Sequence, residues 1–319
     1  MQTPESMRTR REFLAALAVG ATAASLTGRA LAESPADLPV LDAHVHIWNL
    51  KQFKLPWLTP DAPFAKDFTP ENYRDAIAGT PTKASMYMEV DVAKEQKQAE
   101  ADYIAKLVES KQSPFIAAII GGNVVDAGFA KYAAQFKGSP SIKGIREVIH
   151  VPEKGPKYCL QPEFIAGVRE LGKNGLTFDL CIRAVDMPNV IEMAKACPDT
   201  RLILDHCGNP NVQAADNSPW MKNMEQLAKL PNVAVKLSGI LYTAKKGEWT
   251  PKDLAPIVQH TYHTFGPKRT IFASDWPVCT VGGTYLEWYK AVLEILAKEP
   301  IADLKRLLDT NARTWYGIA

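Results

Sequence analysis

Two histidines separated by one residue lie at the end of the first apolar segment of the chain, residues 39–47. Alternate residues of a β-strand share a face, so Asp42, His44 and His46 are expected on one side. Residues two apart on a strand lie about 6–7 Å apart along the backbone, which is close enough for both imidazoles to bind one metal ion. The pair therefore predicts a metal or catalytic site where this segment ends.

Two later apolar segments also end in residue types that bind metals. His206 leads into a Gly-Asn-Pro turn, and Asp275 follows an apolar strand and precedes Trp276-Pro277. A buried carboxylate is costly unless it is paired or bound to a cation, which favours Asp275 as a metal ligand or general base. The structural alternative is that each side chain caps its turn. Together with the first pair, His206 is a candidate third nitrogen ligand.

The fourth apolar segment carries Arg146 and His150, which share a face by the period of two. A fixed guanidinium suits a substrate carboxylate or a developing oxyanion. The structural alternative is an ion pair of Arg146 with Glu147 or Asp179. Lys236, inside the seventh apolar segment, also needs a partner, and that partner can be purely structural.

Eight apolar, strand-like segments alternate with amphipathic helical segments along the chain. This order is typical of the α/β class and predicts a single-domain (β/α)8 TIM barrel with an extra C-terminal helix. An open doubly wound sheet should carry a glycine-rich turn after its first strand, where this chain has His44-Val45-His46. Functional residues of such barrels gather at the carboxyl ends of the strands. The predicted strands are residues 39–47, 83–91, 115–122, 142–150, 176–183, 201–206, 232–239 and 270–274, and the predicted helices are residues 93–111, 162–173, 188–196, 220–230, 251–265, 285–298 and 301–316.

Composition indicates a soluble globular protein with a large apolar core. The 319 residues are 46% hydrophobic and 23% charged, with a formal net charge of +2. No run of five or six like charges occurs, so nucleic acid is not an expected partner. The five cysteines show no C-x-x-C spacing and are expected to be buried thiols.

The first 32 residues are interpreted as a twin-arginine signal peptide. Arg10-Arg11 precedes a short run of small, weakly apolar residues, and Ala30-Leu31-Ala32 forms a cleavage motif. Cleavage after Ala32 would leave residues 33–319 as a periplasmic barrel, with the twin-arginine export machinery as a partner. The alternative is an uncleaved anchor, but the run is short for a bilayer span, and no stable membrane insertion of the mature chain is expected.

Taken together, these motifs resemble the amidohydrolase superfamily, and within it the amidohydrolase-related branch that includes sugar lactonases and 2-pyrone-4,6-dicarboxylate lactonase. The resemblance implies a (β/α)8 barrel, a central site formed by His44, His46, His206 and Asp275, and a substrate contact from Arg146. It rests on His44-x-His46, Gly144-Ile145-Arg146, the segments 205–210, 236–239 and 274–277, and the C-terminal segment 311–317.

The sequence departs from the two-metal members of this superfamily. They carry a bridging Lys or Glu on the fourth strand and a His at the end of the fifth. Here Lys143 lies near the start of its strand, Glu147 has the opposite parity to Arg146, and the fifth segment ends near Cys181 without a histidine. One divalent metal at most is therefore expected, zinc before manganese, and metal-independent activity is the alternative.

The expected reaction is hydrolysis of a small carboxylic ester, most specifically a sugar lactone or a carboxylated lactone. Water would be activated by Asp275 together with the three histidines, with or without one metal ion. The expected catalytic residues are Asp275, His206 and Arg146, the expected metal ligands are His44, His46, His206 and Asp275, and the expected substrate contacts are Arg146, His150, Trp48 and Trp276. Two alternatives stay open, namely a metal-dependent decarboxylase of an aromatic acid and a non-catalytic periplasmic binding protein.

Overall fold

The computed structural model describes residues Ser34–Ala319. The predicted signal peptide, residues 1–32, lies outside this range. Among the described residues, no helix is both long enough and apolar enough to cross a membrane.

Eight parallel strands form one sheet in which each strand pairs with the next along the chain. The last strand meets the first through a parallel bridge between Val45 and Trp276, and His46 N donates to Trp276 O at 2.7 Å. The sheet thereby closes into the predicted (β/α)8 barrel. The strands are β1 Val40–Val45, β2 Thr82–Met88, β3 Phe115–Gly121, β4 Ile142–Val148, β5 Thr177–Cys181, β6 Leu202–Leu204, β7 Val233–Leu237 and β8 Thr270–Phe272.

Helices alternate with these strands and cover the outside of the barrel. They are α1 Pro70–Ala76, α2 Lys97–Ser110, α3 Phe129–Ala134, α4 Pro162–Lys173, α5 Met187–Ala196, α6 Ser218–Leu227, α7 Pro251–Phe265 and α8 Tyr285–Ile295. Three of them begin with a capping box at Thr69, Thr250 or Thr284, in which the threonine and the residue three positions later bond each other's backbone N–H groups. The short helices α1 and α3 were not predicted, because six or seven residues are too few to show a helical apolar period.

The predicted extra helix at the C-terminus is interrupted. It consists of α9 Ile301–Lys305, a π-helical segment Arg306–Thr310 and α10 Asn311–Tyr316. Ala312 and Tyr316 of α10 pack against an inner cluster of apolar strand residues that includes Leu41 and Ile271. The C-terminal segment therefore contributes to the apolar packing inside the barrel, on which the site above depends.

All eight predicted strands extend further than the observed ones at the carboxyl end. The predicted segment 201–206, for example, ends as a strand at Leu204, and Asp205 and His206 lie outside the ladder. His206 has a φ of 55° and Asp275 a φ of 61°, in the left-handed region that non-glycine residues adopt at a cost of roughly 1–3 kcal/mol. The chain thus leaves the sheet at the residues that carry the candidate chemistry.

Candidate active site

Four side chains predicted from the sequence converge at one point at the carboxyl end of the barrel. His44 Nε2 lies 3.1 Å from His46 Nε2 and 3.5 Å from Asp275 Oδ1. Asp275 Oδ1 also lies 3.4 Å from His46 Nε2 and 3.9 Å from His206 Nε2. All four residues are at most 8% exposed. The structure therefore brings the two strand-end histidines together with side chains from more than 150 residues further along the chain.

An irregularity in β1 points both histidines of the pair into the barrel. The pairing register with β2 shifts between Asp42 and Val45. Leu41 and Ala43 belong to the inner cluster, whereas Asp42 faces outward and accepts a hydrogen bond from Tyr73 of α1 at 2.9 Å. The expectation that Asp42 shares a face with His44 and His46 is therefore wrong, because strict alternation fails at a bulge.

Asp42 holds this irregularity in place. Its Oδ1 accepts from His44 N at 3.2 Å and from Ser274 N at 2.8 Å, and its Oδ2 accepts from Ser274 Oγ at 2.5 Å. These bonds join β1 to the segment after β8. Burial raises the pKa of Asp42 to about 6, although the hydrogen bonds act in the opposite direction. Asp42 is thus a structural carboxylate that aligns His44 with Asp275.

The Nδ1 atom of each of the three histidines contacts a polar group of the protein. Nδ1 of His46 lies 3.0 Å from Met88 O, and Nδ1 of His206 lies 2.9 Å from Ser238 Oγ. Because a carbonyl can only accept, His46 carries its proton on Nδ1 and presents a lone pair on Nε2. Gly239 packs directly on the His206 ring, where a Cβ would approach to 2.4 Å, so a larger residue would displace that ring.

His44 rests on a buried ion network. Its Nδ1 lies 3.3 Å from Asp205 Oδ1 and 3.3 Å from Lys236 Nζ. Lys236 Nζ in turn lies 2.6 Å from Asp179 Oδ2 and 3.0 Å from Asp205 Oδ1, and none of these side chains is exposed. Tyr316 of α10 donates to Asp179 Oδ2 at 2.6 Å. Lys236 is therefore paired with buried carboxylates, as predicted for a lysine inside an apolar strand.

The pKa values of these buried groups indicate which of them are neutral near pH 7. Burial alone would raise the pKa of Asp205, but the charge of Lys236 and a hydrogen bond from His44 hold it well below its usual range. Burial raises the pKa of Asp179 to about 6. Burial also lowers the pKa values of His44 and His206, so both rings are neutral near pH 7. Neutral imidazole is the form that binds metals.

Arg146 is fixed by a residue that the sequence analysis did not single out. Its Nε donates to Glu89 Oε1 at 2.6 Å, and its Nη2 donates to Glu89 O at 2.8 Å. Burial alone would lower the pKa of the guanidinium, but Glu89 raises it. Nη1 lies 3.4 Å from His44 Nε2. Arg146 is therefore held at the centre of the site, with Nη1 as its inward-facing nitrogen.

Neither of the partners proposed for Arg146 from sequence binds it. Glu147 instead accepts from Lys154 Nζ at 2.8 Å and from Val124 N at 2.7 Å. Glu89 lies just after β2, inside the predicted segment 83–91, and a buried carboxylate in an apolar segment was the signal that could have identified it.

A cavity of about 620 Å³ opens above these residues. His46, Arg146, His150, His206 and Asp275 lie on its floor and walls. Trp48, Trp57 and Phe64, from the long connection after β1, form one wall. Trp276 is not part of the lining, because it is buried against Phe68 and Tyr73 at ring distances of 5.5 and 5.4 Å. The prediction that Trp276 contacts the substrate is therefore not supported by its position, whereas Trp48 and Trp57 line the cavity.

Ligand atoms of His44, His206 and Asp275 lie within 4.8 Å of one another, close enough to share one metal ion, and His46 Nε2 lies beside two of them. Ligand atoms at about 2.0–2.2 Å from a shared zinc lie roughly 3.3–3.5 Å from one another. Four of the six separations among the atoms of His44, His46, His206 and Asp275 run from 3.1 to 3.9 Å. Three imidazoles and a carboxylate suit zinc, and the contacts of their Nδ1 atoms with Met88 O, Ser238 and Asp205 supply the support that metal-bound histidines need.

A second grouping of Cys181, Asp205 and His206 also brings ligand atoms within 4.8 Å of one another. Asp205 already faces Lys236, and burial raises the pKa of the Cys181 thiol, which leaves it protonated. Because a thiol binds metal as the thiolate, this grouping is a poor second metal site. The five cysteines are all buried and unpaired.

Comparison with known proteins bears on the family and the fold of this chain. The model of a family described as amidohydrolase matches residues 41–318. An L-fucono-1,5-lactonase of Burkholderia multivorans is 26% identical, over 77% of this chain and 85% of the relative, and an L-rhamnono-gamma-lactonase of Scheffersomyces stipitis is 24% identical, over 76% and 86%. A crystal structure of an amidohydrolase from Burkholderia multivorans with bound zinc superposes with a TM-score of 0.78 at 22% identity, over 88% of this chain and 99% of that one.

Proposed function

The chain belongs to the amidohydrolase family and is a hydrolase, and from this premise we propose that it hydrolyses a lactone at the site of His44, His46, His206 and Asp275. The observation that carries the proposal is the placement of one carboxylate oxygen, Asp275 Oδ1, within 3.9 Å of three imidazole nitrogens on the floor of a cavity. Two lactonases among the relatives support the same substrate class.

Asp275 acts as the general base in this proposal. Water gives one proton to the Asp275 carboxylate as its oxygen bonds to the lactone carbonyl carbon. The tetrahedral oxyanion then collapses, the ring C–O bond breaks, and the departing alkoxide takes the proton back from Asp275. The product is an open-chain hydroxy acid, and Asp275 is an ionised base again.

Arg146 and His150 are proposed to hold the reacting group. Nη1 of Arg146 carries fixed positive charge beside the floor of the cavity, where it can donate to the carbonyl oxygen as negative charge develops. Glu89 prevents the guanidinium from turning away. His150 lies on the cavity wall and contributes one ring nitrogen to a substrate oxygen.

His44, His46, His206 and Asp275 would hold one divalent ion, zinc before manganese. When bound, such an ion supplies Lewis-acid polarisation of an ester carbonyl and acidifies water. Asp205 contacts Nδ1 of His44, and Ser238 contacts Nδ1 of His206. These contacts would fix both rings with or without a bound ion.

The test is a panel of sugar lactones, carboxylated lactones and aromatic carboxylic acids, assayed as purified and after chelation. Proton release from a lactone, abolished in Asp275→Asn, supports the proposal. Carbon dioxide release from an aromatic acid would establish the decarboxylase instead. Tight binding of a panel member without turnover would indicate a binding protein.

We also propose that residues 1–32 direct export by the twin-arginine route, with cleavage after Ala32 and a periplasmic mature chain. The support is the Arg10-Arg11 pair and the Ala30-Leu31-Ala32 motif. The mature chain's partner in this proposal is its small-molecule substrate, with no nucleic acid involved.

A further inference from the structure

The walls of the active-site cavity are mostly apolar above its reactive floor, which is the part formed by His46, His206 and Asp275. One side is the aromatic wall of Trp48, Trp57 and Phe64. Val148, Ile182 and Ile240 also line the cavity. Trp57 is 44% exposed although it is a large apolar side chain within a concave site. An exposed apolar surface of this kind is typical of a surface that a ligand covers.

The aromatic wall is fixed in place. Trp57 Nε1 donates to Val90 O at 2.7 Å, and Val90 directly follows Glu89, which holds Arg146. Trp48 packs edge-on against Trp57 at a ring distance of 5.9 Å and donates from Nε1 to Lys66 O at 2.8 Å. The wall therefore has a set position relative to the reactive floor, and its shape can select among substrates.

Several polar side chains of the upper walls are hydrogen-bonded within the protein, whereas the hydroxyl of Tyr242 and the Nη atoms of Arg183 have no hydrogen-bond partner among the described residues. Asn209 Nδ2 donates to Ile182 O at 2.6 Å, and Thr243 Oγ1 donates to Ile240 O and accepts from Val212 N. Asp91 Oδ1 accepts from Lys97 at 3.2 Å, and Arg183 Nε donates to Asp186 at 2.5 Å. Hydroxyl groups of a substrate that lie along the apolar part of the lining, such as Trp48, Phe64 and Val148, would be left unpaired, which disfavours a polyhydroxylated body there.

We infer that the preferred substrate is a lactone whose body beyond the ester group is apolar, carrying an aryl or alkyl substituent rather than several hydroxyl groups. This inference rests on the proposed lactone hydrolysis and specifies its substrate class. Trp57 is the specificity-determining residue, because it supplies the exposed face of the aromatic wall. The cavity of about 620 Å³ lies in the range of sites that hold ligands larger than a single small ring.

The test compares lactones that share a six-membered ring and an alkoxide leaving group, which is primary in δ-valerolactone and secondary in the other three. They are δ-valerolactone, δ-octalactone, 6-phenyl-δ-valerolactone and D-glucono-1,5-lactone, with each rate divided by that of spontaneous hydrolysis. We expect kcat/KM to rise at least ~10-fold from δ-valerolactone to the phenyl lactone, and to be at least ~100-fold lower for the gluconolactone than for the phenyl lactone. A flat series, or preference for the gluconolactone, overturns the inference and leaves lactone hydrolysis intact.

Two tryptophan variants locate the preference. Trp57→Ala should reduce the ratio of phenyl lactone to δ-valerolactone kcat/KM by at least ~10-fold. Trp315→Ala, whose Nε1 donates to Lys268 O outside the cavity lining, should leave that ratio unchanged. An equal effect of both variants, or none of Trp57→Ala on a folded protein, contradicts the role of Trp57.

Measurements of lactone binding test this inference independently of the proposed reaction. Calorimetry with Asp275→Asn measures the affinity for the phenyl lactone and for the gluconolactone without turnover. Tighter binding of the phenyl lactone supports the inference even where no lactone is hydrolysed, in which case only the proposed reaction fails. Equal or tighter binding of the gluconolactone overturns it.

Discussion

Cys181 Sγ lies 3.1 Å from Nδ1 of His150 on the wall of the active-site cavity. Desolvation, followed by the charge of Arg146, lowers the pKa of His150 to about 4, and burial raises the pKa of the Cys181 thiol. Both groups are therefore neutral at pH 7. A thiol that donates to Nδ1 would leave the proton of the ring on Nε2, where it can be donated to a substrate.

Removal of the thiol should reduce activity through His150. Cys181→Ala leaves Nδ1 unpartnered, and we expect kcat/KM for the best lactone to fall about 3–10-fold, the value of one neutral hydrogen bond. Cys181→Ser should retain most activity because a hydroxyl can donate in the same place. Steady-state kinetics on the two variants, with Cys197→Ala as a control remote from the cavity lining, provides the measurement. Identical activity of the Ala and Ser variants would show that Cys181 does not orient His150.

Lys236 should contribute strongly to stability, because it is buried between two carboxylates, Asp179 at 2.6 Å and Asp205 at 3.0 Å. Lys236→Met removes the cation and leaves both acids without it. We expect the free energy of unfolding to fall by about 3–5 kcal/mol, measured by urea denaturation. The matched control is the exposed Lys229→Met, with a change within about 0.5 kcal/mol. A Lys236→Met protein as stable as this control would mean that the acids are protonated or hydrated in the fold.

Much of the fold and site could be predicted from sequence because the signals are local. Apolar strands end in His44, His46, His206 and Asp275, and a barrel brings its strand ends to one face. Sequence periodicity identified each strand separately, and the alternation of elements supplied their order.

The remaining features depend on contacts between distant residues. The bulge at β1 requires Asp42 to bond Ser274, which lies 232 residues away in sequence. Glu89 binds Arg146 across 57 residues, and Trp276 turns away from the cavity because Phe68 and Tyr73 pack on it. A period of two, read along one segment, contains no information on such pairs.

The buried carboxyl group of Glu100 should make the protein less stable as pH rises. It is fully buried in α2, accepts from Tyr87 and Val90 N through Oε1, and has no partner at Oε2. Burial, followed by the charge of Glu89, raises its pKa from 4.5 to about 7. Because the folded-state pKa exceeds the unfolded value, the protonated acid is favoured by folding, and this contribution is lost as pH rises from about 4.5 through 7.

Glu100→Gln should abolish this loss of stability with rising pH. We expect the free energy of unfolding of the variant, relative to the wild type, to increase by about 2–3 kcal/mol between pH 5 and pH 8, measured by denaturation at both values. Glu192→Gln, on the exposed side of α5, should show no such pH-dependent difference. A difference that is constant with pH would mean that Glu100 is ionised throughout this range.

Export is tested by changing the paired arginines. Replacement of both Arg10 and Arg11 by Lys should retain the protein in the cytoplasm, because the pair is recognised by a receptor rather than by its charge alone. Fractionation and N-terminal sequencing of the wild type should give a periplasmic chain that begins at Glu33. A periplasmic protein that still begins at Met1 would contradict the predicted cleavage.

Asp275 is the residue on which the proposed mechanism depends most. Asp275→Asn keeps the size of the side chain and most of its hydrogen bonding, so the protein should remain folded, with the exposed Asp216→Asn as its control. Loss of the basic oxygen should lower kcat for a lactone by at least ~100-fold, the usual scale for a positioned base. Steady-state kinetics with circular dichroism as the folding check makes the measurement.

Three roles of Asp275 give three different results in this experiment. If it is the base, activity is lost and added zinc does not restore it, although zinc still binds to His44, His46 and His206. If it serves mainly as a metal ligand, zinc affinity falls and excess zinc recovers part of the rate, because three nitrogen ligands remain. If it only caps its turn, Asn substitutes well and activity is retained, since Asn and Asp cap about equally. Near wild-type hydrolysis by a folded Asp275→Asn protein would therefore remove Asp275 from the mechanism and leave the proton transfer to the histidines.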